Sequence, residues 1–192
     1  MQTVKPRRRQ ARGERRIAQL LDAAADVFAT DGYTAATTNA IAAAAGVSPG
    51  TLYQFFPNKQ SMAEALADQY IAALAVAHDQ AADRRIAGVP LDDVINQMVD
   101  PAIRIASENH GFTAVFHFSG RLQSAVTDQV DGLIAIRVPE LDPSRRRLIA
   151  LVTVKIFEAL LPAVLSASGR TRTEITGELK RVLRAYLLDI SD

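Results

Sequence analysis

The chain has 192 residues, 48% hydrophobic and 22% charged, a balance typical of a globular protein that excludes an intrinsically disordered one. It contains no cysteine, which excludes disulfides, thiolate nucleophiles and cysteine-ligated metals. The net charge is only +1, but the first sixteen residues carry seven positive charges and one negative charge, which indicates a polyanionic partner for this end of the chain.

The composition also bears on where the protein is found. No apolar run reaches about 18 residues without a charge, so no membrane span is expected. The N-terminus is basic but is not followed by an apolar segment, so it does not have the pattern of a secretory signal. These two observations predict a cytoplasmic protein.

Residues 1–13 are predicted to form a disordered basic tail. Lys5, Arg7, Arg8, Arg9 and Arg12 repel one another and contribute nothing to a core. The tail is either an arm that follows DNA phosphates or enters a minor groove, or a segment that only improves solubility.

An amphipathic helix is predicted over Glu14–Thr30, because apolar residues recur at steps of three and four. Asp31-Gly32-Tyr33 is expected to end it. Tyr33 either packs against the helices that follow or donates a hydrogen bond to a phosphate. The apolar face of this helix consists of Ile17, Leu20, Leu21, Ala24, Val27 and Phe28.

Two short helices are predicted on either side of a tight turn. Thr38–Ala45 is rich in alanine, the best helix former, and Gly46 stops it because glycine adopts the left-handed conformation without strain. A second helix, Gly50–Phe56, follows, with Ser48 as its N-cap and Pro49 in the first turn. A helix, a turn containing glycine and a second helix form the helix-turn-helix signature.

The predicted motif divides into a small core and an exposed edge. The core residues are Ile41, Val47, Leu52 and Phe56. The edge would enter the major groove of DNA. Phosphate contacts are expected from Thr38, Ser48, Thr51, Tyr53 and Lys59, and the positions nearest the base edges are Asn39, Pro49, Gly50 and Gln54. Thr37 is also assigned to the DNA interface. Lys59 is assigned to a phosphate because a positive charge at a helix N-terminus is unfavourable with the helix dipole.

This stretch resembles the DNA-binding domain of the TetR family of transcriptional regulators over roughly residues 15–66. The residues that carry the resemblance are Thr37-Thr38, Ile41-Ala42, Ala45-Gly46-Val47-Ser48, Gly50-Thr51-Leu52-Tyr53 and Phe56-Pro57-Asn58-Lys59. The resemblance implies an all-α protein in which a three-helix DNA-binding domain precedes a helical domain that binds a ligand and dimerises. We therefore divide the chain into residues 1–13 (tail), 14–60 (DNA-binding domain) and 61–192 (ligand-binding and dimerisation domain).

The rest of the chain is also predicted to be helical. The expected helices are residues 59–85, 91–109, 112–118, 121–136, 144–167 and 173–190. Residues 112–118 have the composition of a strand as well, but no partner strand is predicted elsewhere. Pro101 lies inside the second of these helices and is expected to bend or split it.

A ligand pocket is predicted beside Pro101, where regular packing is broken and aromatic residues concentrate. Its candidate residues are Met98, Ile105, His110, Phe112, Phe116, His117 and Phe157. Each aromatic residue has the alternative of being simple core. Because no buried Lys, Arg or acidic pair is obvious, the ligand is expected to be neutral or weakly polar and mostly apolar.

A homodimer is predicted from the last two helices. Residues 144–167 are apolar on nearly every side, and a helix of this kind must be buried on every side. The resemblance implies that these helices pair with their copies. The residues assigned to the interface are Leu160, Leu161, Val164, Leu179, Leu183, Tyr186 and Leu187.

The function predicted from these features is a transcriptional repressor that a small molecule releases from its DNA operator. Two other classes of protein are the alternatives, an enzyme and a constitutive architectural DNA binder. An enzyme has no support, because the sequence contains no catalytic constellation or phosphate loop, and no cofactor or metal is expected. A constitutive architectural DNA binder is disfavoured by the large second domain.

Overall fold

A computed structural model describes residues 6–79 and 88–188, and within these ranges the chain is all-helical, as predicted. Nine helices are assigned there, and the three that form the predicted helix-turn-helix domain come first. They are α1 (Pro6–Ala35), α2 (Thr38–Ala44), α3 (Pro49–Tyr53), α4 (Lys59–Asp79), α5 (Leu91–Glu108), α6 (Phe112–Phe118), α7 (Gly120–Arg137), α8 (Pro143–Ser166) and α9 (Gly169–Leu188).

Helix α1 begins at Pro6, eight residues before the predicted start. The prediction of a disordered tail is therefore wrong for residues 6–13, and residues 1–5 lie outside the described residues. Arginine, glutamine and alanine are good helix formers, and proline fits the first helical position because its missing N–H is not needed there. These local preferences extend a helix that packs on the core only from Leu20 onward.

The predicted end of the first helix is confirmed by a break at Gly32, whose φ of 75° lies in the left-handed region. Glycine adopts this conformation at no steric cost. Among the residues predicted for the apolar face, Leu20, Leu21, Ala24, Val27 and Phe28 are buried. Ile17 is 38% exposed and lies outside the core.

The helix-turn-helix forms as predicted, with a shorter second helix. Thr37 caps α2 by accepting a hydrogen bond from the Ala40 N–H at 3.1 Å, and Gly46 ends the turn with a φ of 64°. Ser48 caps α3 through the Thr51 N–H at 3.1 Å. Helix α3 spans Pro49–Tyr53 rather than Gly50–Phe56, while the predicted core residues Ile41, Leu52 and Phe56 are buried and Val47 is partly buried.

Helix α4 joins the two predicted domains. It begins at Lys59 and continues to Asp79, beyond which residues 80–87 lie outside the described residues. Its buried residues Leu66, Tyr70 and Leu74 belong to one core that extends from α1 to α9. The domain division at residues 60 and 61 remains a prediction, since this core continues across it.

Helices α5 and α6 follow α4 and pack against each other, and α6 also packs against α1. Helix α5 is continuous from Leu91 to Glu108, so Pro101 does not split it. Residues 112–118 form a helix, as predicted from the lack of a partner for a strand at this position. This helix buries Phe112, Val115 and Phe116. Ion pairs on the surface join α5 to α9 through Lys180–Asp100 at 2.6 Å and Arg184–Asp92 at 2.8 Å.

Four of the seven residues predicted to form a dimer interface are buried inside the subunit. Leu161, Val164 and Leu179 have no exposed surface, and Leu183 is 3% exposed. A side chain without exposed surface has none left to bury against a partner, so this assignment is wrong for these four. Leu160, Tyr186 and Leu187 are partly buried, and all three pack against the subunit's own core.

The outward faces of α8 and α9 carry a different set of apolar residues. Leu148 and Leu151 on α8 are 50% and 43% exposed, and Val182 on α9 is 44% exposed. Leu148 and Leu151 lie three residues apart on α8, and α8 packs directly against α9, which carries Val182. We call Leu148, Leu151 and Val182 the outer apolar face.

Helix α8 is long and apolar enough to cross a membrane, judged by length and composition, and no other helix in residues 6–79 and 88–188 has this property. Core helices of water-soluble proteins pass the same test. In this structure, seven residues of α8 are buried in the subunit. Its apolar character is therefore explained by the core and by the outer apolar face.

Candidate DNA interface and ligand cavity

The predicted DNA-facing residues lie on the exposed side of α2 and α3. Thr37, Asn39, Ser48, Pro49, Gly50, Tyr53 and Gln54 are exposed, and Thr38, Thr51 and Lys59 are partly exposed. The Tyr53 and Thr38 hydroxyls are 2.9 Å apart and link the two helices across this side. The hydroxyls of Ser48 and Thr51 are also 2.9 Å apart. The edge therefore presents hydroxyl and amide groups, which contact both phosphates and bases in DNA complexes.

Lys59 has a role that the sequence did not indicate. Its ammonium group donates hydrogen bonds to the carbonyl oxygens of Tyr33, Thr34 and Ala36 at 2.8, 2.9 and 3.0 Å. It also lies 4.8 Å from the centre of the Tyr33 ring, within cation–π range. An ammonium has three donors, and all three are used here. The charge at the start of α4 is therefore explained by the carbonyl groups at the end of α1, without a phosphate.

Lys59→Ala should lower the free energy of unfolding by about 2 kcal/mol, because hydrogen bonds from charged groups contribute about 1.5–3 kcal/mol. Thermal unfolding should show a fall in Tm of roughly 4–8 °C for a chain of this size. Lys155→Ala, which removes an equal charge on the exposed surface of α8, is the control and should change Tm little.

The same pair of variants tests the predicted phosphate contact. If Lys59 holds a phosphate, its loss should reduce the salt dependence of DNA binding by about one unit, whereas the Lys155 control should not. An unchanged salt slope together with a lower Tm would leave Lys59 with the structural role alone.

Tyr33 fulfils the predicted packing role, and its contact with a phosphate remains a prediction. Its ring lies 5.3 Å from Phe28 and 5.0 Å from Phe118, so it joins α1 to α6. Burial, followed by the nearby charge of Glu64, raises the pKa of the Tyr33 hydroxyl above its usual value. The hydroxyl therefore stays neutral at physiological pH.

A partly open, mostly apolar cavity of about 170 Å³ lies among helices α4 to α9. Its walls come from α4 to α9, so nearly every helix of the second region contributes to the lining. The apolar lining includes Leu74, Val94, Ile95, Val99, Ala102, Val126, Val130 and Val154, and also Leu183 and Leu187, which were predicted for the dimer interface.

Four of the seven predicted pocket residues line this cavity, namely Met98, Phe112, Phe116 and Phe157. The other three do not. Ile105 is buried in the core away from the cavity. His110 and His117 lie in a separate, wider groove of about 800 Å³ between the end of α1 and helices α5, α6, α8 and α9.

Both histidines in this groove have carboxylate neighbours. His110 lies 3.5 Å from Asp26 of α1, with both side chains largely exposed. His117 lies 2.9 Å from Glu158 of α8, which in turn pairs with Lys155 at 2.6 Å. These contacts join helices on the surface, which explains why neither histidine is available to the apolar cavity.

The sequence did not indicate the polar groups of the cavity, which are His78, Thr153 and Arg137. His78 and Thr153 are buried. Arg137 donates a hydrogen bond to the Val89 carbonyl at 2.7 Å, so a cationic side chain lies at a cavity predicted to have none. His78 could have been found from its position four residues after Leu74, because this spacing places both side chains on the same, buried face of α4.

Helix α6 touches the cavity on one side and α1 on the other. Phe112 and Phe116 line the cavity, and the Phe112 ring lies 5.1 Å from Tyr70 of α4. At the start of α6, Gly111 approaches Ala25 of α1 so closely that a Cβ atom on Gly111 would lie 2.8 Å from the Ala25 Cα. The cavity and the helix-turn-helix are therefore connected through directly packed elements. Burial, followed by the charge of Asp22, raises the pKa of Tyr70 to about 12, so its ring packs as a neutral group.

Comparison with known proteins agrees with this architecture. Residues 20–66 match the family described as bacterial regulatory proteins, tetR family, and residues 90–187 match the tetracyclin repressor-like C-terminal domain. The chain belongs to the TetR family of transcriptional regulators. A TetR-family regulator is a DNA-binding transcription regulator and not an enzyme, as the sequence predicted.

Solved TetR-family structures share the whole fold. A TetR-family transcriptional regulator from Streptomyces coelicolor is 26% identical, with a TM-score of 0.67 over 91% of this chain and 99% of that one. A TetR-like regulator from Rhodococcus sp. RHA1 is 21% identical, with a TM-score of 0.68 over 90% and 96% of the two chains. At that lower identity the likeness shows the fold alone.

Among curated proteins, the uncharacterized HTH-type transcriptional regulator YvkB of Bacillus subtilis (strain 168) is 44% identical over 52 residues. The match spans 28% of that protein and 27% of this chain. The likeness to YvkB is thus confined to a segment about as long as the DNA-binding domain.

Proposed function

We propose that this protein is a cytoplasmic homodimeric repressor that leaves its operator when a small, mostly apolar molecule occupies the cavity. The observation that carries the proposal is the shared use of α4 and α6. Both helices form walls of the cavity, and both pack against the helix-turn-helix domain. A molecule in the cavity therefore acts on the same helices that position the DNA-binding edge.

Release requires only that the molecule prefer one arrangement of the two motifs in a dimer. Two recognition helices reach successive major grooves when they lie about 34–36 Å apart. A ligand that binds better to another spacing shifts the population toward that spacing and lowers operator affinity. Helix α4 can transmit this change, because Lys59 at its start holds the end of α1 while Leu74 and His78 near its end line the cavity.

The homodimer is supported by the outer apolar face of α8 and α9. Leu148, Leu151 and Val182 are large apolar side chains exposed on neighbouring helices. A contiguous exposed apolar patch is typical of a protein–protein interface. A copy of the same face is the natural partner, because a two-fold dimer buries the same surface on both subunits.

The cavity favours a regulator over a constitutive architectural DNA binder. An architectural protein has no need of an apolar cavity behind its DNA-binding domain. A cavity with apolar walls and a few polar groups is instead the usual form of a small-molecule site.

The DNA-binding part is tested by a gel shift on DNA from upstream of the protein's own gene. Gln54 is exposed at the end of α3, and glutamine can form paired hydrogen bonds with adenine in the major groove. Gln54→Ala should therefore change which operator variants are preferred, by about 1–3 kcal/mol at one base pair. Gln69→Ala, on the exposed surface of α4, is the control and should leave the preference unchanged.

Two results would contradict this assignment. If Gln54→Ala weakens binding to every sequence equally, Gln54 contacts a phosphate and another residue reads the bases. If the wild-type protein shows no sequence preference at any salt concentration, the repressor function itself is wrong.

A further inference from the structure

We propose that His78 is the effector-recognising residue of the cavity and that it donates a hydrogen bond from Nε2–H to an acceptor oxygen on a compact, mostly apolar molecule. The proposal rests on the proposed function, in which this cavity is the effector site. It adds the chemical class of the effector and the residue that selects it.

The hydrogen-bond partners of His78 determine which ring nitrogen carries the proton. Nε2 lies 3.4 Å from the carbonyl oxygen of Met98, and a carbonyl oxygen can only accept. Nε2 therefore carries the hydrogen. In a neutral imidazole the other nitrogen is then an acceptor, and the Gln129 amide donates to Nδ1 at 2.5 Å. Gln129 thus keeps the His78 donor at Nε2.

The Nε2–H donor is only weakly used within the protein. Typical N–H···O hydrogen bonds have donor–acceptor distances near 2.9–3.0 Å, so 3.4 Å is a long one. His78 and Met98 both line the cavity. An oxygen atom of a ligand can therefore compete for the donor without breaking a strong bond. The Met98 carbonyl keeps an acceptor role inside α5, where a helical carbonyl receives the N–H four residues later.

The cavity favours a ligand with a single hydrogen-bond acceptor beside His78. His78 is 7% exposed, so an acceptor beside it is removed from water and depends on this donor. Thr153 does not supply a second donor, because its hydroxyl already donates to the Ile149 carbonyl at 2.8 Å. Arg137, the other polar group of the lining, is engaged with the Val89 carbonyl at 2.7 Å. The surrounding walls are apolar, as in the side chains of Leu74 and Phe116.

The volume limits the size of the molecule. A cavity of about 170 Å³ is close to the roughly 150 Å³ of an engineered apolar cavity that binds benzene. A molecule with one ring and one short oxygen-bearing substituent therefore fits without rearrangement. A long chain or a fused ring system exceeds this volume, so it would extend out of the cavity or need the helices to separate.

Two probes of nearly equal shape test the assignment. Acetophenone and ethylbenzene both have one ring with a two-carbon substituent, but only acetophenone has an acceptor oxygen. Their dissociation constants are measured by isothermal titration calorimetry on the full-length wild-type protein, on His78→Phe and on His78→Gln. Met98→Trp, which fills the cavity, shows whether the probes bind there.

The affinity of acetophenone relative to that of ethylbenzene should fall about tenfold in His78→Phe, because the buried oxygen then has no donor. His78→Gln keeps a donor and should restore part of the preference, which a purely structural role for the ring would not. Both probes should lose binding in Met98→Trp.

Three outcomes would overturn the proposal. An acetophenone preference that changes by less than about twofold in His78→Phe removes His78 as the recognising residue, while the cavity remains an effector site. Binding that survives in Met98→Trp places the probes elsewhere. If neither probe binds to the wild-type protein, the assigned ligand class is wrong, and the operator gel shift decides separately whether the repressor function holds.

Discussion

The double variant Leu151→Asp, Val182→Asp should be monomeric and should bind its operator at least about a hundredfold more weakly than wild type. Both residues belong to the outer apolar face and are 43% and 44% exposed in the single subunit. In a symmetric dimer the two substitutions place four carboxylates in an apolar contact. A buried charge without a partner is destabilising by about 3–5 kcal/mol.

The loss of operator affinity follows from the loss of the dimer. A monomer engages one half-site, whereas linked binding of two half-sites raises overall affinity by about 10²–10⁴. Sedimentation velocity measures the oligomeric state, and a gel shift at matched subunit concentration measures operator binding. Circular dichroism establishes that the variant keeps its helical content.

Val76→Asp is the matched control. Val76 is 60% exposed on α4, so it carries the same substitution on another apolar surface position. The control should stay dimeric and bind operator normally. A double variant that remained dimeric at micromolar concentration would remove this face of α8 and α9 from the interface.

The dimer prediction was wrong for four residues because hydrophobicity alone does not show which apolar residues of α8 and α9 face the core. In α8 the apolar residues occupy nearly every side, so their spacing does not indicate which side faces the core. Leu161 and Leu151 have equal hydrophobicity, yet Leu161 is fully buried and Leu151 is 43% exposed. Only the packing of neighbouring helices distinguishes them. A charged substitution at Leu161 or Leu183 would disrupt the subunit core rather than an interface.

The helix-turn-helix could be predicted because its signals are local. Gly46 adopts the left-handed conformation that ends α2, and Ser48 caps α3 through a residue three positions later. Each signal needs only a few neighbouring residues. The tail was predicted wrongly for a related reason: repulsion between arginines suggested disorder, while their helix propensity extended α1 to Pro6.

The cavity was predicted in part because aromatic residues concentrate near it. Phe112 and Phe116 are four residues apart and share one side of α6. His117 follows directly but points to another side, where it meets Glu158. His78 lies in no recognisable motif, and its contacts with Met98 and Gln129 are distant in sequence. Contacts of this kind become visible only in the folded chain.

The close contact between α1 and α6 leads to the second large effect. Gly111→Ala should lower the free energy of unfolding by about 1–3 kcal/mol, which is the usual range for forcing an extra methyl group into a packed site. A Cβ at Gly111 would lie 2.8 Å from the Cα, 2.9 Å from the Cβ and 2.9 Å from the carbonyl oxygen of Ala25. Gly111 has helical φ and ψ angles of −78° and −7°, so steric contact is the cause rather than backbone strain.

Differential scanning calorimetry should show a fall in Tm of roughly 2–12 °C for Gly111→Ala. Gly132→Ala is the control. Gly132 lies inside α7 with no atom within 4 Å of an added Cβ, and replacing a helical glycine by alanine there should stabilise by about 0.5–1 kcal/mol. Opposite signs for two identical substitutions would isolate the α1–α6 contact. Equal stability of Gly111→Ala and wild type would mean that α1 and α6 separate without cost.

A second substitution at the same contact tests how the strain is relieved. Ala25→Gly removes one of the three closest atoms, but the other two belong to the Ala25 backbone and remain. The double variant Ala25→Gly, Gly111→Ala should therefore recover little stability, because α6 still has to move away from α1. Such a movement would weaken the contact between Phe118 and Tyr33, whose rings lie 5.0 Å apart. We expect the same double variant to bind operator more weakly than wild type even without an effector, since α1 supports the DNA-binding edge. Full recovery of Tm would show instead that only side chains meet at this contact and that α6 does not control the position of α1.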